Sequence, residues 1–240
     1  MKNNYLVIPA AGRGSRSGLS YPKTLYKFNS KPILINIIEN VLSSKIFIKK
    51  IIIIVSPKGK YKIQQYLKQY KLLNLCELII QYQPKGMAHA VMQLKKSSFI
   101  NRYSNILLIW GDVANPQKTS VNKLFFSFTI NYNDFAFLSK FVSKPYTLVI
   151  RNKKKVTGVI ETKGNKTINY GERDVGIFIF KYNKIFKFLN YITSNKNSNL
   201  NEQSFLNIIN KLVKENNSVE GYPQATKTDI ISLNRISDIK

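Results

Sequence analysis

Three short runs of almost purely apolar residues, Tyr5 to Ala10, Ile51 to Val55 and Ile106 to Trp110, restrict what this chain can fold into more than any other feature. None alternates apolar with polar, so none suits a half-exposed edge; each predicts a strand buried on both faces of a sheet. Between them lie segments of helical period. Pro32 to Ser43 carries apolar residues at Ile33, Ile37, Ile38, Val41 and Leu42, with a proline where a first helical turn tolerates one. Tyr61 to Tyr70 reads as a helix, Leu78 to Gln81 as a strand and Ala88 to Leu94 as a helix. Strands that alternate with helices imply right-handed crossovers and a parallel sheet.

The expected fold class is therefore α/β, a Rossmann-like, mostly parallel sheet flanked by helices. After Asp112 the pattern changes. A helix over Ser120 to Phe128 is followed by closely spaced strands at Phe135 to Lys140, Thr147 to Arg151, Val156 to Glu161 and Val175 to Lys181. These predict a smaller antiparallel extension. Helices follow at Lys184 to Ile192 and Glu202 to Glu215, and the polar stretch Ser194 to Asn201 between them reads as a mobile loop. With 240 residues, 44% of them hydrophobic, the chain can bury a full core, and no linker divides it. The reading is one domain over residues 1–240.

A formal net charge of +26 first suggests nucleic acid as a partner. The lysines, however, are spread along the whole chain, with Lys153, Lys154 and Lys155 the one tight run, and no basic stripe interleaved with aromatics accompanies them. Arginine is confined to Arg13, Arg16, Arg102, Arg151, Arg173 and Arg235. A lysine-coated surface that attracts polyanionic substrates is the favoured reading, with no specific nucleic acid as partner. The single Cys76 forms no internal disulfide, and Lys49 and Lys50 interrupt the longest apolar stretch, so no membrane partner is expected. Met1 to Tyr5 leads into a strand rather than a signal peptide, and the expected location is the cytoplasm.

The first buried run ends in Ala11-Gly12-Arg13-Gly14-Ser15-Arg16. Glycines let a loop turn tightly and aim its N–H groups at an anion, and the arginines add charge-assisted bonds. The loop departs from a dinucleotide fingerprint, because Ser17 stands where a third glycine belongs, and from a P-loop, because no Gly-Lys-Ser/Thr follows. Tyr21-Pro22-Lys23 then places a lysine about ten residues on, held by a rigid proline, where it can return to the same phosphates.

The stretch from Ile8-Pro9-Ala10-Ala11-Gly12-Arg13-Gly14-Ser15-Arg16 through Pro22-Lys23 to Lys31-Pro32 resembles the signature of the sugar-phosphate nucleotidyltransferase superfamily. Gly86-Met87-Ala88-His89-Ala90-Val91 resembles a segment of its N-acetylglucosamine-1-phosphate uridylyltransferase branch, as do Gly111-Asp112-Val113 and Lys155-Val156-Thr157-Gly158-Val159-Ile160-Glu161. The resemblance implies transfer of a nucleoside monophosphate from a nucleoside triphosphate, UTP or another, to a sugar 1-phosphate, with pyrophosphate released and Mg2+ as cofactor. Residues 1–115 would form the nucleotide-binding half and residues 116–240 the sugar-binding half with its terminal helices. It also implies roles. Arg13 and Lys23 would be catalytic, and Ala10, Ala11, Gly12, Gly14, Ser15, Gln83, Gly86 and Met87 would bind nucleotide. Glu161 and Asp174 would bind sugar, and Asp112 and Asp229 would hold the metal.

Some residues carry a second reading. His89 lacks a second histidine or cysteine nearby and reads as a helix-packing residue, and Asp229 could cap a helix. Asp174 stands where the family has an asparagine, and Lys144-Pro145-Tyr146-Thr147 stands where it has a G-Y-G-R turn. A carboxylate facing the sugar would accept but not donate hydrogen bonds, which predicts a preference for sugars other than N-acetylglucosamine. The rival functions are a cytidylyltransferase acting on a polyol phosphate and a basic nucleic-acid-binding protein on a degenerate enzyme fold.

Overall fold

The computed structural model describes residues 3–12, 18–83, 85–162, 168–194 and 205–233. In chain order its elements are β1 (Asn4–Ala10), β2 (Lys27–Phe28), β3 (Lys31–Pro32), α1 (Ile33–Leu42), β4 (Ile48–Val55), α2 (Pro57–Gln69), β5 (Cys76–Ile80), α3 (Met87–Met92) and β6 (Asn105–Ile109). There follow α4 (Lys118–Ile130), β7 (Phe135–Ser143), β8 (Thr147–Asn152), β9 (Lys155–Glu161), β10 (Tyr170–Lys181), α5 (Tyr182–Ser194), α6 (Asn207–Lys214) and β11 (Val219–Tyr222).

Seven strands form one sheet in the order β11-β7-β10-β6-β1-β4-β5. All its pairings are parallel except those that β10 makes with β6 and β7. The three apolar runs are its centre: Leu6, Val7 and Ile8, Ile52 to Val55 and Leu108 are fully buried. On one face α1, α2 and α4 pack Ile37, Leu67 and Leu124 against Leu6, Ile8 and Ile53. On the other, α3, α5 and α6 pack Val91, Leu189 and Ile209 against Val7, Ile54 and Leu108. Each fully buried Ile, Leu or Val contributes roughly 1.5–3 kcal/mol, so both layers are held chiefly by apolar burial.

The expected antiparallel extension is smaller than the sequence predicts. Phe135–Ser143 and Tyr170–Lys181 join the main sheet, and only β8 and β9 form a separate hairpin. The reason is burial: Phe135, Phe137, Phe178 and Phe180 are all fully buried and need a helix layer over them. The proposed loop at Ser194 to Asn201 begins with the last residue of α5, and positions 195–201 lie outside the described residues. Among the described residues no helix is long and apolar enough to cross a membrane.

Candidate active site

The chain runs from β1 outward through β4 to β5, then returns to lay β6 on the other side of β1. That reversal makes the carboxyl ends of β1 and β6 the topological switch point, where open α/β sheets hold their ligands. The β1–β6 ladder ends at Val7 and Leu108, while β1 follows β4 as far as Ala10 and Val55. Pro9, which has no N–H to donate, lies just past that ending.

Each strand delivers one motif to the crevice. From β1 come Ala10 and Ala11, both buried, and Gly12, which is exposed with open space where a side chain would be. Arg13, Gly14 and Ser15 lie outside the described residues. From β6 come Gly111 and Asp112. A Cβ on Gly111 would lie 2.5 Å from the Pro9 carbonyl oxygen, so only glycine lets this turn close against β1. A short 3-10 turn over Lys23–Leu25 brings Lys23 across, and its Nζ lies 2.5 Å from Asp112 Oδ2. Their side chains are 27% and 15% exposed, so the pair sits at the mouth of the crevice rather than in the core. The two groups chosen from separate motifs are brought together.

At the base side, Gly86 starts α3 with φ of 89°, a left-handed geometry that glycine adopts without strain, and Met87 follows it. Gln83 is exposed in the turn after β5. The glutamine enclosed by the fold is Gln81, which is buried and whose Nε2 lies 2.7 Å from His89 Nδ1. His89 also meets Gln93 at 3.3 Å through Nε2. Burial, then the charges of Lys85, Lys96 and Lys95, lower its pKa, in keeping with a packed, neutral imidazole.

Two assigned carboxylates have other work. Asp229 is buried: Oδ1 accepts the Gln117 amide at 2.7 Å, and Oδ2 accepts Ser120 Oγ at 2.6 Å and the Thr226 amide at 2.6 Å. It clasps residues 226–229 to the start of α4. The segment that does reach Asp112 is later: Leu233 N–H donates to the Asp112 carbonyl, and Ser232 bridges Val113. Asp174 is also buried, its Oδ1 taken by Thr147 Oγ1 at 2.7 Å and its Oδ2 by the Gly176 amide at 3.1 Å. Burial pushes its pKa up, against the opposing pull of Thr147 and Arg173. The Asp174 carboxylate, expected to face a sugar, thus accepts bonds from Thr147 and Gly176 and holds the turn at Gly176 against Trp110. Glu161 ends β9 opposite Thr147, so the hairpin carries it to the same corner.

Tyr146 and Arg173 were not singled out as site residues. The Arg173 guanidinium lies over the Tyr146 ring, 4.4 Å from its centroid. The Tyr146 pKa is pushed up to about 12, first by burial, then by Asp174 and Asp112 against the pull of Arg173. Arg173 is an arginine in a chain that otherwise relies on lysine, the one sequence signal that marks it.

A mostly parallel sheet with this crevice and a Lys–Asp pair at its switch point defines a Rossmann-like α/β fold. By sequence the chain is similar to nucleotidyltransferases. Residues 5–79 match the family of 2-C-methyl-D-erythritol 4-phosphate cytidylyltransferase (IspD). The bifunctional protein GlmU of Wigglesworthia glossinidia brevipalpis is 27% identical over 234 residues, covering 96% of this chain and 49% of that protein. The chain thus spans about half the length of the curated relatives it matches. Among solved structures, a putative glucose-1-phosphate thymidylyltransferase from Bacillus anthracis superposes with a TM-score of 0.72 at 18% identity, covering 91% of this chain and 85% of that one. The inositol-1-phosphate CTP transferase from T. maritima gives 0.73 at 14% identity, covering 100% and 93%. These structural likenesses establish the fold.

Proposed function

We propose that this chain transfers a nucleoside monophosphate from a nucleoside triphosphate to a sugar 1-phosphate, in the cytoplasm. The observation that carries the reading is the Lys23–Asp112 pair at the switch point, beside the glycine loop. An oxygen of the acceptor phosphate attacks the α-phosphorus in line, the new P–O bond forms, and the bond to the β-phosphate breaks to release pyrophosphate. A phosphate is already a competent nucleophile, so the protein's task is to align two anions and offset their repulsion. Lys23 exchanges its bond with Asp112 for one with the α-phosphate, while the amides after Ala10 and the guanidinium of Arg13 hold the β- and γ-phosphates.

Asp112 suits magnesium: it is a hard oxygen donor at a strand end, and Mg2+ commonly takes one or two carboxylates and completes its shell with phosphate and water. Bound there, the ion would neutralise charge on the transferring phosphate. Among the described residues no cluster of three carboxylates, histidines or cysteines offers a ready-made cage, which fits an ion that arrives with the nucleotide. Gly86 and Met87 support the base side, and Glu161 the sugar.

The test is pyrophosphate release from four nucleoside triphosphates, each against a panel of sugar and polyol phosphates with magnesium. Lys23→Ala is expected to lower turnover about 100-fold or more in a protein that still folds, because a preorganised charge at the reacting phosphate contributes several kcal/mol. Asp112→Asn should weaken activity and magnesium dependence together. Near-normal turnover in Lys23→Ala would remove it from the mechanism. A second reading, a cytidylyltransferase acting on a polyol phosphate, is favoured by the match of residues 5–79; CTP with a polyol phosphate leading the panel would select it.

A further inference from the structure

The two arginines of the β8–β10 region differ in how they are partnered. Arg151 is fully engaged: Nε and Nη2 grip Glu172 at 2.6 and 2.7 Å, Nη1 reaches Glu220 at 3.1 Å, and two backbone carbonyls take further N–H groups. Arg173, on the strand two places from β1 in the sheet, makes one long bond to the Ile230 carbonyl at 3.3 Å and, among the described residues, no ion pair. Its Nε is buried without an acceptor. The neighbouring carboxylate does not serve it, because both oxygens of Asp174 are held by Thr147 and Gly176.

A partly buried guanidinium with an unfilled donor is costly unless an anion completes it. Its stacking on Tyr146 matters here. A guanidinium held over a ring by its Cζ can still turn outer N–H groups to fork onto an oxyanion. The position is equally specific. Because β10 runs antiparallel to β6, with the Gly176 carbonyl accepting the Trp110 amide, the residues before Gly176 extend past the end of β6 on the Asp112 side. Lys23 meets Asp112 from the turn at Lys23–Leu25, and β10 carries Arg173 toward the same end of the sheet.

We infer that Arg173, seated on Tyr146, binds the phosphate of the acceptor, on the side of Asp112 opposite the nucleotide. This rests on the transferase reading above and adds the residue that tells the second anion from the first. It applies to sugar and polyol phosphates alike, since the recognised group is the phosphate monoester.

The experiment compares wild type with Arg173→Gln and Arg173→Lys. The KM for the acceptor phosphate is expected to rise at least 10-fold in Arg173→Gln, with the KM for the nucleoside triphosphate within 2-fold of wild type. Arg173→Lys, which keeps the charge but loses the planar fork, should recover only part of the loss. Inhibition by pyrophosphate should be unchanged. A raised pyrophosphate inhibition constant with an unchanged acceptor KM would place Arg173 on the nucleotide side and overturn the inference. Independently of turnover, calorimetric titration with inorganic phosphate should show binding to wild type that weakens at least 10-fold in Arg173→Gln. Equal binding overturns the assignment. Wild type that binds phosphate through Arg173 yet transfers to no acceptor would refute the transferase reading alone. Should Arg173→Gln fail to fold, the lysine variant carries both measurements.

Discussion

Gly176 has φ of +77°, and a Cβ there would come within 2.6 Å of the Trp110 ring. Positive φ costs a side-chain-bearing residue about 1–2 kcal/mol, and the contact falls on a packed indole that also meets Phe178 and Phe205. Gly176→Ala should therefore lose about 2 kcal/mol or more in urea unfolding, and its activity should fall with the displaced Asp112 turn; an unchanged midpoint would count against the packing argument. His89 gives a prediction in pH. Its folded pKa lies below the usual 6.5, so above that value both states are neutral and nothing is gained or lost. As pH falls below 6.5 the unfolded chain takes up the proton first, and stability drops until the folded pKa is passed. Unfolding midpoints between pH 7.5 and 5 should fall more steeply for wild type than for His89→Gln, and parallel curves would contradict this. At this scale Lys23, Asp112 and Gly111 were legible because each sits in a spaced motif. The partners of Asp229 and Asp174 were not, because a sequence does not reveal which donors surround a carboxylate.

Among the elements, the β8–β9 hairpin adds polar anchoring to the apolar burial of Val149, Val156 and Val159. Arg151 joins β8 to β10 through Glu172, which is 3% exposed and also accepts Ser139 Oγ at 2.5 Å. From the other side Asn210 of α6 mimics a strand, accepting the Val159 amide at 2.7 Å and donating to its carbonyl at 3.0 Å. Arg151→Met leaves Glu172 buried and uncompensated, an expected loss of about 3 kcal/mol by urea denaturation, whereas adding Glu172→Leu should restore much of it. A single variant costing under about 1 kcal/mol would show the pair to be dispensable. The buried parallel strands were readable from their apolar runs, within a few residues. The start of α2 was not, because Pro57, Lys58 and Gly59 look like a breaker until Ser56 Oγ is seen accepting the Gly59 amide. β11 was missed because Val219–Tyr222 holds a glutamate and a glycine, and only its parallel pairing with β7 makes it a strand.

For the molecule as a whole, a net charge of +26 would act on both polyanionic substrates of the proposed reaction at once. Long-range attraction is screened over about 10 Å at 0.1 M salt, so raising ionic strength should lower kcat/KM while leaving kcat nearly constant. Salt-independent kcat/KM would mean that the surface lysines have no part in capture. The order of strands follows from where the crossovers reverse, which the alternating pattern implied but could not place. One feature of the sheet bears on how such a molecule can change. β7 leaves the sheet at Ser143 and the chain returns at Tyr170, these two residues facing each other, with the Lys144 amide donating to the Asn169 carbonyl at 3.1 Å. The chain thus departs and re-enters through a neck two strands wide. The turns within that segment, unlike its β8 and β9 strands, can lengthen or shorten without moving β7 or β10. If the proposed transfer holds, a change of acceptor therefore has a ready route here, by insertion or deletion in the turns of one hairpin, while the β1–β6 end of the sheet stays as it is.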